Sequence, residues 1–213
     1  MEKKPWKKTE RAAGSVYVLI ALLAFFNAFW YGKPWDVLWL CYWAALLIGI
    51  GLLTNARALV WSQLFLLFIP DVIWTLDAAV FAVRGSSLLG ISDYFFALPT
   101  LAQQAVSLQH PLTVLLGMYA LARWKGEKKK TLHLSGIIAV LESAAAFALA
   151  RLLTTQEQNI NCVYRFCGSL GLSEPYVLWW FVAIALTIAL TYGLFARCVF
   201  QRIKEHTLAQ SPP

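Results

Sequence analysis

The chain of 213 residues is too apolar for a soluble domain, since 60% of its residues are hydrophobic and only 14% are charged. The apolar residues are gathered in long runs, whereas soluble helical proteins show shorter amphipathic segments. Composition therefore excludes a soluble globular enzyme and indicates an integral membrane protein. The net charge of +7 fits attraction to anionic lipid head groups, and we expect membrane lipids rather than nucleic acid as partners.

Six apolar runs are long enough to cross a hydrocarbon core, which needs about 20 helical residues. They are Ser15–Tyr31, Val37–Thr54, Ala58–Val83, Leu98–Leu121, Leu132–Leu153 and Tyr176–Phe200. The predicted fold is therefore an all-α, six-helix transmembrane bundle over residues 15–200. A basic N-terminal segment, 1–14, precedes this bundle, and a tail, 201–213, follows it.

Lysine and arginine are distributed unevenly among the segments that join these runs. They concentrate before the first run, between the fourth and fifth, and after the sixth, whereas the alternate loops carry only Lys33, Arg84 and Arg165. Because positive charge is retained on the cytoplasmic side of a membrane, both termini are predicted to be cytoplasmic.

Two prolines lie beside ionisable residues inside predicted spans, Pro70 next to Asp71 and Pro111 next to His110. An interior proline removes a helical hydrogen bond, and a charged group in hydrocarbon is costly enough to indicate function. Counted from the cytoplasmic ends, Asp71, His110 and Glu142 lie roughly 15 to 20 Å into three consecutive spans. This common depth predicts a polar pocket within the bilayer.

A catalytic interpretation gives His110 the role of general acid or base, because imidazole titrates near neutral pH. Asp71 or Glu142 would orient the imidazole, and the amide of Asn161 would donate to an oxyanion. The nucleophile is left open among Thr75, Ser107, Cys162 and water. A structural interpretation of the same residues is that they form interhelical hydrogen bonds without chemistry.

A second polar level is predicted nearer the other surface of the membrane, where Asp77 and Arg151 are placed to form an ion pair. The candidate substrate-binding residues are Asp77, Arg151, Asn159, Tyr164 and Trp74. Cys162 and Cys167 fall in a loop outside the cytoplasm, where a disulfide is able to persist. The cysteine and histidine spacings support no metal site, and no cofactor is predicted.

From Trp74 onward the chain resembles a family of uncharacterised bacterial multi-pass membrane proteins. The resemblance rests on Trp74-Thr75-Leu76-Asp77, Gly90-Ile91-Ser92-Asp93-Tyr94-Phe95, Ser107-Leu108-Gln109-His110-Pro111-Leu112 and Asn159-Ile160-Asn161-Cys162-Val163-Tyr164. Gln109 stands where family members carry an aromatic residue, Pro111 comes immediately after the histidine, and Cys162 stands where they carry tryptophan. The resemblance implies a bacterial inner membrane and no assigned activity.

The layout is also similar to that of the androgen-induced family of six-span lipid hydrolases, which carry an intramembrane histidine on a middle helix. Three functions are open: an enzyme acting on a lipid or other apolar substrate, a small transporter or proton-coupled permease, and a membrane assembly or interaction subunit. A homo-oligomer is compatible with each of them.

Overall fold

The computed structural model describes residues 8–124, 127–168 and 176–209, with side chains described as far as residue 197. These residues form eight α-helices and no strand, which confirms the all-α prediction. The helices are α1 (Lys8–Trp30), α2 (Leu40–Thr54), α3 (Arg57–Arg84), α4 (Asp93–Ala97), α5 (Leu101–Ser107), α6 (Gln109–Arg123), α7 (Lys129–Leu153) and α8 (Tyr176–Ala209). Two 3-10 turns cover Pro34–Leu38 and Ile160–Cys162.

Five helical segments are long and apolar enough to cross a membrane: α1, α3, the combined α5–α6 segment, α7 and the first part of α8. The protein is therefore an integral membrane protein. The predicted second span is divided between the turn Pro34–Leu38 and α2. With 15 residues, α2 is about 22 Å long at about 1.5 Å per residue, shorter than a typical spanning helix.

The predicted fourth span is also not one continuous helix. It is divided at Leu108, where α5 ends and α6 begins. Pro111 is the third residue of α6, a position where a missing backbone N–H breaks no helical hydrogen bond. Pro70, in contrast, lies in the interior of α3, which continues through it to Arg84.

Polar contacts define the two ends of the bundle. At one end, the basic end, Arg57 of α3 pairs with Glu127 before α7, and the Trp124 indole donates to Glu10 of α1. At the other end, the loop end, the side chain of Asn161 binds the backbone on both sides of Trp39. Helix α2 and the five candidate spans thus alternate in direction along the chain.

Helix α3 lies at the centre of the bundle and contacts α2, α6, α7 and α8. Its Trp61 makes edge-on aromatic contacts with Trp124 and Phe195, with ring centroids 5.2 Å apart in each case. Large apolar side chains on α1, α7 and α8 face outward, as expected for helices in contact with lipid. The core is therefore aromatic and centred on α3.

Helices extend into both predicted terminal segments. Helix α1 covers Lys8 to Gly14 of the predicted N-terminal segment before it enters the first span. Helix α8 continues beyond residue 200 to Ala209. Residues 1–7 and 210–213 of the two predicted terminal segments lie outside the described residues.

Candidate functional site

Asp71 of α3 and His110 of α6 form a buried pair. Oδ1 of Asp71 lies 2.7 Å from Nδ1 of His110, and the two residues are 2% and 9% exposed. No hydrogen bond from the described residues reaches Nε2 of the histidine. With Asp71 ionised, Nδ1 donates the hydrogen and Nε2 is the free basic nitrogen.

Trp74 completes the immediate surroundings of the histidine. It lies three residues after Asp71 on α3, so both side chains point to the same face of that helix. Its ring stacks on the imidazole with centroids 4.5 Å apart and planes inclined by 27°. The rings of Tyr94 and Phe95 from α4 contact the same indole, so α4 covers the site from the loop end.

Several polar atoms near this pair are buried and have no hydrogen-bond partner among the described residues. They are Oδ2 of Asp71, Nε1 of Trp74, Oγ1 of Thr75, and both amide atoms of Gln109. Gln109 is only 3% exposed. Because nearly all buried polar groups in proteins are paired, this concentration is unusual. These atoms provide donors and acceptors for a polar group of a ligand.

Asp71 lies midway along α3, 14 residues after Arg57 and 13 before Arg84. Cys41, the second residue of α2, is close enough to interact electrostatically with Asp71 and to contact Gln109. The hydroxyl of Tyr17 on α1 reaches Thr113, one turn after His110, across 3.3 Å.

Glu142 does not join this site, contrary to the prediction of one shared pocket. Its Oε2 accepts a hydrogen bond of 2.6 Å from Nε2 of Gln63 on α3. Gln63 precedes Asp71 by eight residues, a rise of about 12 Å along the helix. The two carboxyl groups therefore occupy separate positions, because α7 contacts α3 at a different level from α6.

The predicted ion pair between Asp77 and Arg151 is not formed. Both carboxylate oxygens of Asp77 accept hydrogen bonds from the loop that follows α3: from the backbone N–H groups of Leu88, Leu89, Ile91 and Ser92 and from the Ser92 hydroxyl. The Arg151 guanidinium instead lies over the Tyr164 ring, 4.5 Å from its centroid. Each group thus binds its own neighbouring loop.

Asn161 and Asn159 organise the loop after α7 and do not reach His110. Asn161 accepts from the Leu40 N–H at 2.7 Å and donates to the Leu38 carbonyl at 2.8 Å. Asn159 accepts from the N–H groups of Tyr164 and Arg165. Their amides are used in these contacts, so neither is placed as an oxyanion donor for His110.

Two further candidates have structural partners in this loop. The Tyr164 hydroxyl lies 2.7 Å from the carbonyl oxygen of Thr154, at the end of α7. Cys162 forms a disulfide with Cys167. The bridge removes the Cys162 thiol from the list of nucleophiles, and Cys41 is the free cysteine among the described residues.

The structure thus brings together Asp71, His110 and Trp74 from the predicted set and adds Gln109 and Cys41. Gln63 was missed, although a polar amide inside an apolar run is the same signal that identified Asp71. The arrangement of Asp71 and His110 is suited to accepting and returning a proton at Nε2. The described residues contain no cluster of three or more metal-binding side chains.

Comparison with known proteins identifies no relative: no protein-family model, no curated protein and no solved structure matches this chain. Both resemblances suggested by the sequence therefore stay predictions.

Proposed function

We propose that the protein is a membrane-embedded enzyme that acts on a lipid or another apolar substrate, with His110 as general acid and base. The observation that supports this most directly is the 2.7 Å contact between Asp71 and Nδ1 of His110, which leaves Nε2 without a partner among the described residues. A carboxylate at Nδ1 fixes the tautomer in which Nε2 accepts a proton.

The surroundings of the pair favour this chemistry. When Nε2 takes a proton, the imidazolium lies between the Asp71 carboxylate and the stacked Trp74 ring, and both stabilise a positive charge. These interactions are stronger in an apolar interior than in water. His110 would activate a water molecule or a hydroxyl group, and the buried amide of Gln109 would hold a polar group of the substrate.

We also propose a six-span topology. In it α2 crosses the membrane together with the turn Pro34–Leu38, both termini are cytoplasmic, and the loop end faces outward in a bacterial inner membrane. The distribution of lysine and arginine supports this orientation. The site would then be reached from the outer leaflet.

Lipid profiling tests the enzyme. Membranes of cells that carry the gene, lack it, or carry His110→Gln are compared by mass spectrometry. We expect one lipid class to change on loss of the gene, and His110→Gln to reproduce the loss because general acid–base catalysis contributes about 100-fold or more. His133→Gln is the matched control, since His133 is an exposed histidine of α7 that contacts Tyr192.

The level of each variant in the membrane fraction is measured in parallel. If His110→Gln accumulates normally and restores the same lipid profile as the unmodified chain, the catalytic role of His110 is rejected. If no lipid class changes on loss of the gene, the substrate class is wrong.

A proton-coupled permease is the second candidate, and the Gln63–Glu142 contact is the observation that favours it. Glu142 of α7 contacts α3 at Gln63, about two turns before Asp71. The two carboxyl groups are thus spaced as in a chain of proton-binding sites. Solute-driven proton uptake by vesicles, lost in Asp71→Asn and in Glu142→Gln, would favour transport over the enzyme.

A further inference from the structure

The loop after α7 is closed by a disulfide that is open to attack at one of its two cysteines. Cys162 and Cys167 form the bridge, and Cys167 is exposed whereas Cys162 is half-buried. Exposed disulfides are the labile ones in thiol–disulfide exchange, because an attacking thiolate must reach a sulfur atom. Cys167 is therefore the cysteine at which a reducing thiol enters, and Cys162 is the leaving group.

The backbone next to this bridge is held in a conformation that most residues avoid. Asn159, Asn161 and Cys162 have positive φ values of 43°, 55° and 54°. Asparagine tolerates this left-handed region better than other residues, whereas cysteine does not share that tolerance. A residue in this conformation persists only where its surroundings hold it there. The disulfide is one of the constraints on this strained segment, residues 159–162.

Asn161 connects the strained segment to the beginning of α2. Its Oδ1 accepts from the Leu40 N–H at 2.7 Å, and its Nδ2 donates to the Leu38 carbonyl at 2.8 Å. Leu40 is the first residue of α2, where backbone N–H groups have no acceptor within the helix. The residue before it, Trp39, makes no side-chain capping bond. Asn161, from a distant part of the chain, thus caps this helix.

The first turn of α2 forms part of the wall of the candidate functional site. Cys41, the second residue of the helix, contacts the side chain of Gln109 and interacts electrostatically with Asp71. The middle of the helix is fixed independently, because Gly49 packs directly against α1. Displacement of the loop would therefore release the first turn and leave the rest of α2 in place.

We propose that the Cys162–Cys167 bridge is a redox-sensitive clamp that holds the candidate functional site closed. With the bridge intact, Asn161 keeps the first turn of α2 in place. A dithiol opens the bridge: it supplies two electrons and two protons and becomes a disulfide itself, while both cysteines become thiols. The strained segment then relaxes, Asn161 withdraws from α2, and Cys41 becomes accessible. The proposal concerns access to the site and does not depend on the reaction proposed for it.

Alkylation of Cys41 tests the clamp. In a background with Cys198→Ser, Cys41 is the one free thiol of the chain while the bridge is closed. The full chain is held in a maltoside detergent, treated with N-ethylmaleimide and followed by intact mass. We expect Asn161→Ala to raise the rate of alkylation about tenfold, because the loss of two hydrogen bonds shifts a local opening equilibrium by that order.

The joint change of Cys162→Ser and Cys167→Ser should produce a similar increase in the same background, because it removes the constraint on the strained segment. Glu157→Gln is the matched control: it changes an exposed residue of the same loop region and should leave the rate of Cys41 alkylation unchanged.

Reduction tests the redox step and needs no change that could prevent folding. The chain with its bridge is treated with dithiothreitol, the reductant is removed, and alkylation of Cys41 is followed by peptide mass spectrometry, which counts the new thiols separately. We expect the same increase at Cys41, and no effect of dithiothreitol on the variant without the bridge. Unchanged alkylation of Cys41 after reduction, or in a folded Asn161→Ala, would overturn the proposal and leave the bridge with a structural role only.

Discussion

Asp71 and His110 meet because the helix that carries His110 is interrupted one residue before Gln109. The break at Leu108 places His110 in the first turn of α6, facing α3. Pro111 is tolerated there because backbone N–H groups in the first turn have no helical acceptor. The proline beside the histidine thus starts a helix, and the proline beside Asp71 lies within one.

We expect Asp71 and His110 to be energetically coupled. In a double-mutant cycle of Asp71→Asn and His110→Gln, the combined loss in free energy of unfolding should differ from the sum by about 1 to 3 kcal/mol. The reason is that either single change leaves the other buried group without its partner. Reversible unfolding in mixed detergent micelles gives the four values.

The control for this cycle combines His110→Gln with Glu142→Gln. Their effects should add, because Glu142 binds Gln63 about two turns from Asp71. Additive effects in the Asp71–His110 cycle itself would mean that the contact contributes no net stability.

For other polar residues, the hydrogen-bond partners could not be predicted from the sequence. The meeting of Asp71 and His110 at one level of the bundle was predictable from helical rise, but the partners of Asp77 were not. Asp77 binds loop amides because Gly85 and Gly90 adopt positive φ values of 72° and 74° and return the loop to it. A backbone path of this kind depends on tertiary packing, so charge complementarity alone suggested Arg151 instead.

Among the contacts between helices, the one between α1 and α2 depends on small residues. A Cβ atom at Gly49 would lie 2.6 Å from Cγ2 of Val18 and 2.8 Å from the carbonyl oxygen of Gly14. The two backbones therefore touch closely, as small residues at a helix interface allow. The short α2 is held in the bundle by this contact.

Gly49→Ala should lower the free energy of unfolding by roughly 1 to 3 kcal/mol, because backbone atoms of α1 would have to move. Thermal unfolding followed by circular dichroism measures the effect. Gly136→Ala on α7 is the matched control, since no atom lies within 4 Å of the added Cβ. Equal losses in both variants would mean that the cause is not the α1–α2 contact.

Five of the six apolar runs predicted from the sequence correspond to helical segments long enough to cross a membrane, but the continuity of the helices was not predictable. Periodicity and hydropathy do not distinguish one long helix from the α5–α6 pair. The beginning of α2 at Leu40 likewise depends on Asn161, more than 100 residues later in the chain. Such long-range contacts have no local signal.

For the molecule as a whole, the two ends of the bundle differ in charge, and this difference predicts an orientation in the membrane that can be tested. The basic end carries Lys128 just before α7, whereas Glu157 lies in the disulfide-bonded loop region at the loop end. Both residues are exposed. The Cys162–Cys167 bridge fits an oxidising compartment at the loop end, in agreement with the distribution of lysine and arginine.

In a background with Cys41 and Cys198 replaced by serine, we expect a membrane-impermeant maleimide to label Glu157→Cys in intact cells. Lys128→Cys should be labelled only after the membrane is opened, because the proposed topology places the basic end in the cytoplasm. The two variants are matched controls for each other. Labelling of Glu157→Cys shows that the reagent reaches the outer side, and labelling of Lys128→Cys after opening shows that it reaches the inner side. Labelling of Lys128→Cys in intact cells would reverse the topology, and access to the Asp71–His110 pair would then be from the inner leaflet.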